Sequence, residues 1–335
     1  LEQLRKERID RGIKVRTEGI YAISSLREIA YLLFPRISFI FGVLVLPLLM
    51  PTLYWKRVIS IVCIYTLLAL GYDLLAGFVG LVCLGEALFV GIGGYLTAIL
   101  DVYFGLSCPF SIIVGTIAGA IFCTLILLPC LPLRGVYFSI ITLMYPLTFS
   151  RIIEATGILG GTDGITDIKG ISNIWIELYT LCILIILSLF LLRRLVNEDI
   201  GIVLRGIKDN DQTVRASGID VTRYKALALF ISSVLGTLAG SFLVHIYMWA
   251  GVSLFAIDFS ILPMAAAVVG GSGTLSGAVL GSFLLIPISE ILREFGAFRI
   301  VAYALILTGF IVVKSEGLMP YIERKYHQFE RWTKV

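Results

Sequence analysis

Asn197-Glu-Asp-Ile-Gly-Ile-Val-Leu-Arg-Gly-Ile-Lys-Asp-Asn-Asp-Gln-Thr-Val-Arg-Ala-Ser-Gly-Ile-Asp-Val-Thr-Arg-Tyr-Lys225 is a polar island between two apolar halves. The uncharged run Leu178–Leu192 precedes it, closed by Arg193 and Arg194, and the uncharged run Ala226–Ile257 follows it. Such a segment cannot lie in hydrocarbon, where each unpaired backbone group costs several kcal/mol. It therefore belongs on one side of a bilayer. Ile202, Leu204, Ile207, Val214 and Ile219 leave room for one or two short helices, with Gly206 and Gly218 as expected breaks. The excess of basic over acidic residues favours the cytoplasmic side. The island is either a docking surface for a soluble partner or an ordinary polar connection between spans.

The composition supports the membrane reading. Only 15% of the 335 residues are charged and 58% are hydrophobic, against about 25% charged in soluble domains. That excludes a soluble enzyme, a nucleic-acid binder and a small secreted module. Cys63, Cys83, Cys108, Cys123, Cys130 and Cys182 lie in or beside apolar runs without a CxxC pair, and are expected to be small buried hydrophobes. His245 and His327 are too far apart in sequence to suggest a metal site, and His245 is expected to be a buried hydrogen-bonding residue. No nucleotide-binding loop is present, since Gly309-Phe-Ile-Val-Val-Lys314-Ser315 lacks the glycine before its lysine. Any ATP used by the system is hydrolysed by another chain.

The expected fold is an all-α polytopic transmembrane bundle of about ten spans. Residues 1–36 form a charged cytoplasmic segment, either an amphipathic surface helix or a solvated tail, without the pattern of a signal peptide. Residues 37–313 form the permease region, opening with spans Ile37–Trp55 and Val58–Leu75 separated by a turn at Lys56 and Arg57. The last expected span is Ile300–Val313, and residues 314–335 form a basic cytoplasmic tail. Of the 27 Lys and Arg residues, this topology leaves only Lys56, Arg57, Arg151, Lys169, Arg293 and Arg299 outside. The positive-inside rule therefore puts both termini and the island in the cytoplasm, and loop 154–173 outside.

Gly77-Phe-Val-Gly-Leu-Val-Cys-Leu-Gly-Glu-Ala-Leu-Phe-Val-Gly-Ile-Gly-Gly-Tyr95 carries glycine at 77, 80, 85, 91, 93 and 94. Glycines at membrane depth serve tight helix packing or interrupted helices, whose freed amides and carbonyls face a solute. Gly80, Gly85, Glu86, Phe89, Gly91, Gly93 and Gly94 are accordingly candidates for a translocation path. Glu86 lines or gates that path, or else makes a structural hydrogen bond to a neighbouring helix or sits at the interface at a helix end. A second cluster, Gly270, Gly271, Ser272 and Gly273, follows a short apolar piece and echoes the first, which points to an inverted repeat with the path between its halves. Asp73, Asp101, Asp258 and Glu290 are expected at membrane interfaces. No Ser/His/Asp or paired-carboxylate constellation stands out.

Five segments, in order, resemble the membrane permease subunits of bacterial high-affinity branched-chain amino acid ABC importers. They are Gly77–Tyr95, Leu133-Arg-Gly-Val-Tyr-Phe-Ser-Ile-Ile-Thr-Leu143, Gly160-Gly-Thr-Asp-Gly164, the island, and Val269-Gly-Gly-Ser-Gly-Thr-Leu-Ser-Gly-Ala-Val-Leu-Gly281. The resemblance covers about residues 60–318. It departs at Glu86, where the family commonly has histidine, and at Asp211-Gln-Thr-Val214, where it has an acidic-Ala-Ala core. It implies an ATPase-coupling loop at Arg205, Lys208, Asp209, Asn210, Asp211, Arg215, Ala216 and Gly218. It also implies an extracytoplasmic loop at Gly160, Gly161, Thr162, Asp163 and Gly164. The implied partners are a second homologous permease, two cytoplasmic ATPases that carry ATP and magnesium, and an extracytoplasmic solute-binding protein, with no nucleic acid and no cofactor in this chain. The function it implies is inward translocation of leucine, isoleucine or valine. Two alternatives stay open: a urea or short-amide permease of the same architecture, and a proton- or ion-coupled secondary transporter using Glu86.

Overall fold

The structure is a computed structural model describing residues 41–48, 50, 52–133, 135–171, 173–292, 296, 305, 308–309 and 317–332. The expected segment 1–36, residues 37–40, 49 and 51 of the span Ile37–Trp55 and most of the span Ile300–Val313 lie outside the described residues. The chain divides into two units between Leu46 and Pro47. Residues 41–48 are helical, and the larger unit is described from here.

Helix α1 (Leu53–Asp73) is capped by Thr52, whose Oγ1 accepts from Trp55 N at 3.4 Å. Lys56 and Arg57, expected to form a turn, are therefore in its first two turns: a capping threonine placed just before them starts the helix early. Arg57 pairs with Glu177 at 3.3 Å, and Lys56 sits 4.1 Å over the Trp175 ring. α1 runs on into a π-helical turn, Leu74–Val79, and then into six non-helical residues, 80–85. The remaining helices are α2 (Glu86–Val102), α3 (Cys108–Leu127, extended by a 3₁₀ turn to Cys130), α4 (Val136–Thr156), α5 (Ile174–Asn197) and α6 (Asp199–Ala216). They are followed by α7 (Val221–Tyr247), a 3₁₀ turn at Val252–Phe255, α8 (Asp258–Gly270), α9 (Ser276–Leu292) and α10 (Leu318–Trp332).

Among the described residues, six helical stretches are long and apolar enough to cross a membrane: Leu53–Val79, Cys108–Cys130, α4, α5, α7 and Val252–Gly270. α2, with 17 residues, spans roughly 25 Å at about 1.5 Å per residue. It falls short of a hydrocarbon core of about 30 Å, and the non-helical 80–85 precedes it. The all-α polytopic bundle expected from the sequence is what the chain forms.

α7 is the post around which α1, α2 and α3 pack, and small residues set the spacing. A Cβ on Gly240 would collide with the Val90 carbonyl, one on Gly93 with Thr237 backbone, and one on Gly236 would lie 2.5 Å from Phe89 Cβ. Hydroxyls then link the close helices. Thr97 Oγ1 and Ser241 Oγ lie 2.7 Å apart, Thr237 Oγ1 donates to Thr116 O at 3.1 Å, and Thr124 and Ser233 meet at 3.1 Å. In membranes such packing and hydrogen bonding take over the work that water-driven burial does in soluble cores.

These contacts fix directions. Phe89, Val90 and Gly94 meet Gly236, Gly240 and Val244 in order, so α2 and α7 run parallel. Ser111 meets His245 and Thr124 meets Ser233, so α3 runs against them. Gly71 meets Ser232 and Arg57 bonds the Ile246 carbonyl at 3.4 Å, so α1 also runs against α7. One end of the bundle thus gathers the end of α1, α6 and the α8–α9 turn; the other gathers loop 157–173 and the end of α7.

Candidate functional site: the coupling segment and the glycine junctions

Residues 80–85 are the interruption that their glycines lead one to expect. Gly80 takes φ +78°, which closes the π-helical turn in a conformation costly for any side chain. Backbone groups released by the interruption are met by hydroxyls from elsewhere. Ser139 Oγ donates to Val82 O at 2.7 Å, Thr142 Oγ1 accepts from Leu84 N at 3.1 Å, and Ser260 Oγ accepts from Ala87 N at 3.0 Å. Ser139 and Thr142 belong to the second signature segment, so its role here is to satisfy the broken backbone of the first. The starts of α2 and α8 are brought together by the Ser260 bond.

Glu86 is the first residue of α2 and is wholly buried. Its Oε1 is 3.5 Å from Ser232 Oγ of α7, while Oε2 makes no hydrogen bond among the described residues. Phe89 is wholly buried against Gly236. Gly91 accommodates the Phe255 ring, and Gly94 accommodates Leu254 and Val244. Gly91, Gly93 and Gly94 therefore hold close packing partners, whereas Gly80 and Gly85 flank the break. Gly85 lies against the Thr142 carbonyl, 2.8 Å from where its Cβ would be.

The two glycine clusters, read as echoes of each other, are in contact. Asp73, expected at an interface, is wholly buried at the end of α1. Its Oδ1 accepts from Gly273 N at 2.6 Å and its Oδ2 from Leu275 N at 2.9 Å. A Cβ on Gly77 would lie 2.6 Å from Gly273 N, and Gly270 packs on the Gly277 carbonyl. Gly271 is overlaid by Gly317, which leads into α10. Burial of Asp73 needs partners, and the tight Gly271–Leu275 turn supplies two amides that have no other acceptor among the described residues.

The polar island rests on this junction. α6 buries Gly201, Leu204 and Ile207 and exposes Arg205, Lys208, Asp209 and Asn210. Lys208 Nζ donates to Gly77 O at 2.6 Å while its stem crosses Gly80, and Arg205 lies 5.6 Å from the Phe78 ring centre. Gly218, in the left-handed region, does end the segment, but the expected break at Gly206 is not there. The helix runs through Gly206, which sits under Val214, and kinks at Asn210 (φ −160°, ψ 102°). Asn210 Oδ1 accepts from Gln212 N and Thr213 N at 3.0 and 3.3 Å, capping the short second helix. Asp211 is turned inward, 3.6 Å from Lys225 of α7. What the kink presents outward is Asp209, Asn210, Gln212, Thr213, Arg215, Ala216 and Gly218.

At the opposite end, the Gly160–Gly164 segment docks on the end of α7. Ile165 and Ala250 form an antiparallel bridge, Trp249 Nε1 donates to Asp163 O at 2.9 Å, and Gly164 (φ +75°) packs against Ala250. Thr162 is exposed beside them. Asp101, also expected at an interface, is buried and accepts from Lys169 N at 2.7 Å. His245 is buried between the Lys169 carbonyl at 2.7 Å and Ser111 Oγ at 3.2 Å, as expected for a hydrogen-bonding core histidine.

Residues 54–314 match the family described as branched-chain amino acid transport system, permease component. The chain belongs to this permease family. It is 26% identical over 316 residues to the high-affinity branched-chain amino acid transport system permease protein LivM of Escherichia coli, covering 84% of this chain and 74% of that one. Its identity to the Salmonella typhimurium protein of the same name is 27% over 292 residues, 77% and 68% of the two chains. A probable branched-chain amino acid transport permease protein LivH of Methanocaldococcus jannaschii is 28% identical over 303 residues, 82% and 94% of the two chains. No solved structure matches the chain. This permease is a multi-pass membrane protein, and four elements of its site could not be placed from sequence: Asp73 as a cap, Ser232 on Glu86, Phe78 under Arg205, and Lys225 on Asp211.

Proposed function

We propose that this permease is the membrane subunit of an ATP-driven importer for leucine, isoleucine or valine, paired with a second permease. It carries out no bond chemistry. Two separate ATPases bearing ATP and magnesium dock on the exposed tip of α6, and a solute-binding protein delivers solute at the end of loop 157–173. The observation that carries this reading is α6 itself: a kinked polar helix with an exposed tip, anchored to the break in α1–α2. The relatives' names support the solute class. The basic side chains Arg205, Lys208 and Arg215 on α6 support a cytoplasmic position for that end, and with it cytoplasmic termini.

The path runs between the start of α2 and α8, with Gly80, Gly85 and Glu86 at the first break and Gly270, Gly271 and Gly273 at the second, at the end of α8. Phe89, Gly91, Gly93 and Gly94 set the helix spacing behind it. Glu86→Gln keeps the oxygen that Ser232 meets and removes a buried carboxylate. It is expected to leave the melting temperature unchanged or higher while lowering leucine uptake about tenfold, the scale of 1.4 kcal/mol in a barrier. Wild-type uptake by this variant would take Glu86 out of the path.

Reconstituted vesicles separate the mechanisms. Uptake of labelled leucine that requires internal ATP and is unaffected by an imposed proton gradient is the expected result. Uptake driven by the gradient alone would favour the secondary transporter, with Glu86 as its ion site. Competition by urea but not by isoleucine or valine would move the solute class to short amides.

A further inference from the structure

An exposed surface can receive a partner without passing anything on, so the question is which atoms connect α6 to the breaks. Among the described residues, the side chains of Arg205 and Lys208 do so. The Arg205–Phe78 contact is a stacking interaction on a side chain. The Lys208 contact is on the backbone: Nζ donates to Gly77 O at 2.6 Å. Gly77 lies inside the π-helical turn Leu74–Val79, where backbone hydrogen bonding departs from the α-helical pattern. Its Cα side is packed on Gly273, and Asp73, four residues earlier, holds Gly273 N and Leu275 N. The Lys208 stem lies across Gly80, the residue at which α1 gives way to the non-helical 80–85. One ammonium thus touches the turn that joins both glycine junctions, and its stem touches the start of the break before Glu86.

We propose that Lys208 is the transmitting residue of the coupling segment. Through its bond to the Gly77 carbonyl, displacement of α6 reaches the α1–α2 break and, by way of Asp73, the α8–α9 turn together. It is a positioning residue, touching neither solute nor nucleotide. The inference rests on the ATP-driven reading given above. It predicts a split that a purely structural role would not give: loss of Lys208 separates ATP hydrolysis from uptake while the assembled complex persists.

The test is Lys208→Met, which keeps the stem over Gly80 and removes the donor, with Lys208→Arg as the conservative variant. Each is purified as the full transporter and reconstituted, and ATP hydrolysed and leucine taken up are measured on the same vesicles. For Lys208→Met the expected result is uptake down at least tenfold with hydrolysis within threefold of wild type, so that ATP consumed per solute rises. Lys208→Arg is expected to restore part of the ratio. A wild-type ratio in Lys208→Met overturns the proposal while leaving the importer reading intact. Should Lys208→Met assemble poorly, Lys208→Gln is measured on the assembled fraction, and a wild-type ratio there overturns it equally. If no ATP-hydrolysing subunit accompanies the wild-type chain, the importer reading fails and the proposal with it.

Discussion

Asp73→Ala is expected to cost this permease about 2–6 kcal/mol of stability, because two buried amides lose their acceptor at once and each unsatisfied buried donor costs roughly 1–3 kcal/mol. The amides are those of Gly273 and Leu275, 200 and more residues away in sequence, so the loss falls on the contact between the two halves. Asp73→Asn should lie between Ala and wild type. Its single carbonyl can accept from one amide, while its NH2 would be pressed against the other. The melting temperature of each purified variant in detergent, against wild type, checks the order wild type, Asn, Ala. A wild-type melting temperature for Asp73→Ala would mean that the junction is held elsewhere.

The second large effect is expected at Gly240. A Cβ there meets the carbonyl oxygen, carbonyl carbon and Cα of Val90, all backbone atoms that cannot rotate away. Gly240→Leu must therefore push α2 from α7. Overpacking of a filled interior costs about 1–3 kcal/mol, and separation of the helices also stretches the Thr97–Ser241 and Ser241–Gly93 bonds at 2.7 and 3.4 Å. Loss of most folded protein at the expression temperature is the expected outcome, read by the monodisperse fraction on gel filtration. Gly105→Ala is the control: Gly105 has φ +65° but open space around it, so only conformational strain of about 1 kcal/mol applies. Equal yields for the two variants would contradict the account of α7 as a tightly packed post.

Much of this architecture is legible in the sequence because membrane segments are read from composition. The polar island, the flanking apolar runs and the break around Gly80–Gly85 need no tertiary information. Contacts between distant segments do. Asp73 looks interfacial because its neighbours in sequence are the end of an apolar run, and nothing local says that Gly273 and Leu275 will cap it. Likewise Glu86 gives no sign of Ser232. The position of the α6 kink was accessible in principle: Asn210-Asp-Gln-Thr213 places a strong N-capping side chain two and three residues before the amides it accepts from. Gly206 is the more conspicuous breaker in the sequence, but a single glycine is tolerated inside a helix when a neighbour, here Val214, needs the space. Asp211 carries a charge and sits in a polar segment, so solvent exposure is the natural expectation; Lys225, one turn into α7, draws it inward.

The central claim is that the tip of α6 faces the cytoplasm and receives an ATPase there. A single cysteine introduced at Gln212, on the exposed tip, tests it with a membrane-impermeant maleimide on cells and on inverted vesicles, the unsubstituted protein giving the background from native cysteines. The account predicts labelling in inverted vesicles stripped of peripheral subunits, protection when those subunits are restored, and none in intact cells. Labelling of Gln212→Cys from outside intact cells would contradict it.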